Sequence, residues 1–77
     1  MQLTEREFNV LYCLAHGIKN NEIGEMLSIS EHTVKAHLES IYDKLTVNNR
    51  IQAVIKALQE ELIDINKIQI KNRVNRL

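Results

Sequence analysis

His32, Lys35, Ala36 and Glu39 fall on one face of a helix running from about residue 31 to 45. At 100° per residue that face centres on Ala36 and Asp43, with His32, Glu39 and Ser40 beside them. Lys35 lies toward one border, Thr33 and Lys44 toward the other. This set holds a cationic donor, a carboxylate acceptor, an imidazole and a bare methyl, but no nucleophile beside a base. It is suited to reading an edge rather than breaking a bond. An ammonium can donate to guanine O6 and N7, a carboxylate can accept from cytosine N4, and an alanine methyl can touch a thymine methyl. His32 can donate or accept. A carboxylate is also repelled by phosphates, so Glu39 restricts where the face can sit. His37 lies nearer the inner face and is expected to be half-buried.

Those side chains need a helix presented outward by a second helix. The stretch 20–38 has that form. Ile23 and Leu27 are four apart, as are Val34 and Leu38, and each pair marks one helical face. Ser28-Ile29-Ser30 breaks the period between them, and the Ser30 hydroxyl can accept from an orphan backbone N–H at a helix start. Gly24, mid-helix, costs about 1 kcal/mol relative to alanine, which makes sense where another helix crosses closely. Such a pair is a helix-turn-helix, whose second helix enters the DNA major groove with its N-terminal half foremost.

The flanks supply the support. Leu3-Thr4-Glu5-Arg6-Glu7 carries a capping box, Thr4 capping forward and Glu7 reaching back. Phe8, Leu11, Leu14 and Ala15 follow as core positions, and Gly17 provides the left-handed residue that ends the helix, with His16 facing the negative end of its dipole. Asn20 or Asn21 is expected to cap the second helix, and Asn48 or Asn49 the fourth. Val34, Leu38, Ile41 and Leu45 form the inner face of the third. Helix four has more apolar surface than one face requires. Ala53, Val54 and Ala57 form a small-residue strip for close packing, while Ile51, Ile55, Leu58 and Leu62 form a second strip about 100° round. The second strip is expected to be a homodimer interface, since exposed apolar patches mark contacts and helix-turn-helix proteins commonly bind in pairs. The fold class is therefore all-α: four helices at about 5–16, 20–27, 31–45 and 49–62 in a domain of residues 1–63, followed by a basic tail, 64–77.

Composition sets bounds on this reading. A 77-residue chain is one domain at most and buries only roughly 60% of its unfolded surface. Formal net charge is zero, so composition alone does not point to nucleic acid. The charge is uneven: six Lys/Arg face nine Asp/Glu through Ile63, while Lys67, Lys71, Arg73 and Arg76 face one acid beyond it. The tail mixes Ile65, Ile68, Ile70, Val74 and Leu77 with polar residues in no clean period; a phosphate-contacting arm and a docking segment are both open. A single cysteine, Cys13, cannot form an internal disulfide, which suits the cytoplasm. No apolar run reaches the ~20 residues of a membrane span. Cys13, His16, His32 and His37 make no metal-ligand spacing and no phosphate loop is present, so neither a cofactor nor an enzymatic activity is expected.

From Leu3 to about Ile63 the sequence resembles the LuxR-type DNA-binding domain of NarL/FixJ-type response regulators and quorum-sensing regulators. The residues that carry the resemblance are Leu-Thr-Glu-Arg-Glu at 3–7, Gly17, Asn20, Glu22-Ile23, Ser30, Thr33-Val34-Lys35, His37, Ile41, Lys44-Leu45, Val47, Arg50 and Ala53. The resemblance implies a four-helix fold, the third helix as recognition helix, and a dimer through the fourth. It implies that Lys35 and Ala36 face bases, with Thr33 and Lys44 nearer phosphates; Asn20, Ser30 and Arg50 complete the expected phosphate contacts. The implied partners are double-stranded DNA, a second copy and RNA polymerase. Two features depart from the pattern: the acidic Glu39 on the recognition face, and the longer, more basic tail. With no receiver or ligand-binding domain in the chain, an output domain and a small stand-alone regulator both fit. Two alternatives stand beside this reading. One is a sigma-factor region four, against which the segment 44–50 leads into a further helix. The other is a protein-interaction module that has lost DNA binding, which the neutral charge favours.

Overall fold

The computed structural model describes residues 2–64. The tail from 65 onward, and with it the expectation for that segment, lies outside the described residues. Four helices follow in order: α1 (Glu5–Ala15), α2 (Asn20–Leu27), α3 (Glu31–Leu45) and α4 (Arg50–Gln59). Among the described residues there is no strand, and no helix is long and apolar enough to cross a membrane.

Three of the four helix starts use side-chain caps at the positions expected. Thr4 Oγ1 accepts from the Glu7 N–H at 3.1 Å while Glu7 Oε1 accepts from the Thr4 N–H at 2.9 Å. Ser30 Oγ accepts from the Thr33 N–H at 3.0 Å, and Asn49 Oδ1 from the Gln52 N–H at 2.9 Å. The start of α2 differs. Lys19 is its N-cap, and the Glu22 carboxylate accepts from the Lys19 N–H at 3.3 Å. Asn20 is the first helical residue and its side chain is used elsewhere; Asn21 follows it inside the helix.

All four helices end in the same way. A residue with left-handed backbone stops each one: Gly17 (φ 78°), Ser28 (φ 60°), Thr46 (φ 60°) and Glu61 (φ 58°). The next residue then donates its N–H back to a carbonyl five positions earlier: Ile18 to Cys13, Ile29 to Gly24, Val47 to Tyr42 and Leu62 to Ala57. This Schellman closure satisfies carbonyls that the helix end would orphan, and it turns the following side chain inward. That side chain is apolar each time, and all four pack against the core.

This closure moves the end of α4. The helix stops at Gln59 rather than near 62, because Glu60 and Glu61 place two carboxylates at the negative end of its dipole and Leu62 is drawn back to the core. Leu62 therefore leaves the outer strip to which its spacing assigned it.

The core takes Leu11 and Leu14 from α1, Ile23 from α2, Val34, Leu38, Ile41 and Leu45 from α3, and Ala53 and Ala57 from α4. On α1, Val10 and Cys13 are buried too, whereas Phe8, expected inside, is 37% exposed. Desolvation pushes the Cys13 thiol pKa up. Gly24 is buried because the chain passes close to it. A Cβ there would lie 2.7 Å from the Ile29 carbonyl oxygen, so the crowding comes from the backbone of the turn into α3 rather than from a crossing helix.

Candidate nucleic-acid interface

The rotation of α3 is set by its inner face: with Val34 and Leu38 buried, His32, Lys35, Ala36 and Glu39 are all exposed. His37 is half-buried, as its place on the wheel requires. At the N-terminal end of α3 the Ser30 and Thr33 hydroxyls bond to each other at 2.9 Å. Two hydroxyls carry two hydrogens and this bond uses one, so the pair keeps one donor for an outside acceptor.

Asn20 and Arg50 are thirty residues apart and meet at the side of α3. An Arg50 Nη2–H donates to Asn20 Oδ1 at 2.6 Å. The bond ties the start of α4 to the start of α2 and uses one of the five guanidinium N–H donors. Both residues line one shallow depression with Lys35, Leu38, Glu39 and Tyr42 of α3. Tyr42 was missed by the sequence reading. Its spacing of seven from Lys35 places it on the same helix face, and that was the available signal.

Lys44, expected at a phosphate, is tied within the fold through one of its three ammonium donors. Its ammonium donates to Glu7 Oε1 at 2.8 Å, while the Ser40 hydroxyl donates to Glu7 Oε2. Glu7 is 4% exposed. Burial alone would raise its pKa, but hydrogen bonds from Lys44, Ser40 and the Thr4 N–H, with the Lys44 charge, outweigh that and hold it at about 2. One carboxylate thus caps α1 and fixes the Ser40–Lys44 edge of α3. Spacing revealed the cap but not Ser40 and Lys44, which reach it from 33 and 37 residues away. A further tie runs from Arg6 Nη1 to the Leu27 carbonyl at 3.4 Å. The recognition face is held by contacts behind and beside it, and none of these uses Lys35, Ala36, Glu39 or His32.

On α4, Ile51 is 69% and Ile55 49% exposed, whereas Leu58 is half-buried and Leu62 is turned inward. Ile51, Val54 and Ile55 border a shallow apolar groove with Leu14, Ala15 and Gly17 at the end of α1.

Residues 1–57 match the GerE family, bacterial regulatory proteins of the luxR family. The chain belongs to the luxR family. Its four helices are this family's helix-turn-helix domain, a DNA-binding unit of transcription regulation. Similar proteins include the nitrate/nitrite response regulator protein NarP of Escherichia coli, 48% identical over 58 residues, which cover 75% of this chain and 27% of NarP. The transcriptional regulatory protein YdfI of Bacillus subtilis is 46% identical over 65 residues, 84% of this chain and 30% of YdfI. Among solved structures, the response regulator ChrA of a heme-sensing two-component system aligns with a TM-score of 0.79 at 44% identity, over 82% of this chain and 31% of ChrA. The LuxR-type chain thus spans under a third of the length of these relatives.

Proposed function

We propose that this LuxR-type domain reads double-stranded DNA in a sequence-specific manner, with α3 in the major groove and a second copy joined through α4. Lys35, Ala36, Glu39 and His32 face base edges; Asn20, Ser30, Thr33 and Arg50 contact phosphates. Lys44 fixes α3 through Glu7 and offers its remaining ammonium donors to a phosphate. The domain acts in the cytoplasm as the output part of a response regulator, in contact with RNA polymerase. Residues 1–63 form the DNA-binding domain, and residues 64–77 carry four basic residues against one acid.

The observation that carries this reading is the convergence on one exposed face: Lys35 and Glu39 share a depression with the Asn20–Arg50 pair, so base-reading and phosphate-binding groups from three helices border the same surface. Phosphate contacts position a protein on the duplex and base contacts specify the site, and both are at hand here. The neutral charge supports a second reading, a protein-interaction module. Selection from random duplexes separates the two. DNA reading predicts an enriched two-fold symmetric site whose affinity falls steeply with salt as counterions are released. No enrichment would favour the interaction module.

A further inference from the structure

Glu39 is an acidic residue on a surface that meets a polyanion. It shares its depression with Lys35 and Arg50, yet the ion pairs among the described residues are Lys44–Glu7 and Lys56–Glu60. Arg50 donates to Asn20 instead. The Glu39 carboxylate is thus exposed and has no ion-pair partner among the described residues.

Against phosphates such a group is repelled, so it is tolerated only over the floor of the groove, where it requires a donor. The major groove offers two, adenine N6 and cytosine N4. Adenine N6 lies between two acceptors, its own N7 and thymine O4, both of which repel a carboxylate. Cytosine N4 has an acceptor, guanine O6, on one side only. A carboxylate therefore prefers cytosine. Its place in the site follows from helix geometry. Residues four apart on a helix have Cβ atoms about 5–6 Å apart, and base pairs rise about 3.4 Å each. Lys35 and Glu39 accordingly reach positions within about two base pairs of each other.

We propose that Glu39 sets base preference at one position of each half-site by accepting from cytosine N4, within about two base pairs of the base read by Lys35. This rests on the DNA-reading function proposed above. Glu39 is then the residue that makes this domain's target differ from that of a relative with a neutral or basic side chain at the same place. It raises specificity at the expense of general affinity for DNA.

The test is selection from random duplexes with the wild-type domain, Glu39→Ala, Glu39→Gln and Lys35→Ala, each verified as folded by circular dichroism. The wild type should enrich a cytosine within two base pairs of the position that loses its preference in Lys35→Ala. Glu39→Ala should flatten the cytosine position by roughly tenfold or more and leave the rest of the site unchanged. Glu39→Gln should move preference there toward adenine, which an amide can pair at N6 and N7. Both variants should bind an unrelated duplex more tightly at low salt, since one repelling charge has gone. A different wild-type base at that position, or the same cytosine preference in both variants, overturns the role of Glu39 and leaves DNA reading intact. If the wild type enriches no site, the reading beneath the proposal fails and the proposal falls with it.

Discussion

Glu7 shows how one side chain can serve two elements at once. Its carboxylate caps α1 and accepts from Ser40 and Lys44 of α3, with its pKa held at about 2 against an ordinary 4.5. A folded-state pKa below the unfolded one means that stability is fully present above about 4.5 and is lost as pH falls toward 2. The shift corresponds to about 3 kcal/mol. Glu7→Gln should lower stability in urea by about that amount at pH 7, and the gap between variant and wild type should close as pH drops from 5 to 2. A gap that does not change with pH would show that the carboxylate charge is not what holds α3. Gly24 makes the opposite kind of prediction. Mid-helix glycine to alanine ordinarily gains about 1 kcal/mol. Here the added methyl would meet the Ile29 carbonyl oxygen at 2.7 Å, and that oxygen belongs to the turn backbone, which cannot swing aside. Gly24→Ala should therefore destabilise by about 1–3 kcal/mol, seen as a lower thermal midpoint.

At the scale of elements, the starts were easier to read than the ends. Thr4, Ser30 and Asn49 cap through short side chains that sequence displays directly. Gly17 marked the end of α1 for the same reason, because glycine alone takes left-handed backbone without a Cβ penalty. Ser28, Thr46 and Glu61 do the same job without that mark. What they share is the apolar residue that follows each one, a long-range packing feature and not a local propensity. For this reason α4 ends at Gln59 and Leu62 points inward. The candidate site divides along the same line. The exposure of Lys35, Ala36, Glu39 and His32 follows from helical period. The Arg50–Asn20 bond and the Lys44–Glu7 ion pair depend on which helices become neighbours, and spacing along the chain does not encode that. Thr46 gives the sharpest check, since a β-branched residue at φ 60° is a true outlier. Thr46→Gly should raise stability by about 1 kcal/mol, while Gly17→Ala should lower it by more than about 1 kcal/mol. Loss of stability in Thr46→Gly would mean that the threonine methyl or hydroxyl makes contacts that outweigh the strain.

For the molecule as a whole, the question is how a domain with six Lys/Arg against nine Asp/Glu through Ile63 holds a polyanion. Its recognition face offers one lysine against Glu39 and Asp43. The expected phosphate contacts are mostly neutral side chains, with the Arg50 guanidinium already sharing one donor with Asn20. A single copy should therefore bind weakly and depend on pairing. Joining two half-site contacts makes the second intramolecular, and gains of roughly 10²–10⁴ over a single copy are typical. The surface proposed for that pairing is Ile51 and Ile55 beside the groove at the end of α1; Leu58 is half-buried and Leu62 faces the core. The informative variant is Ile51→Lys with Ile55→Lys, because both positions are exposed and the substitutions leave the core of the monomer intact. It should sediment as a monomer on a two-fold site, retain the wild-type thermal midpoint to within the effect of two surface changes, and bind the full site about a hundredfold more weakly. Binding to an isolated half-site should stay level or tighten slightly from the added positive charge. If full-site affinity were unchanged while the variant still occupied the DNA as a pair, the contact between copies would have to lie away from α4.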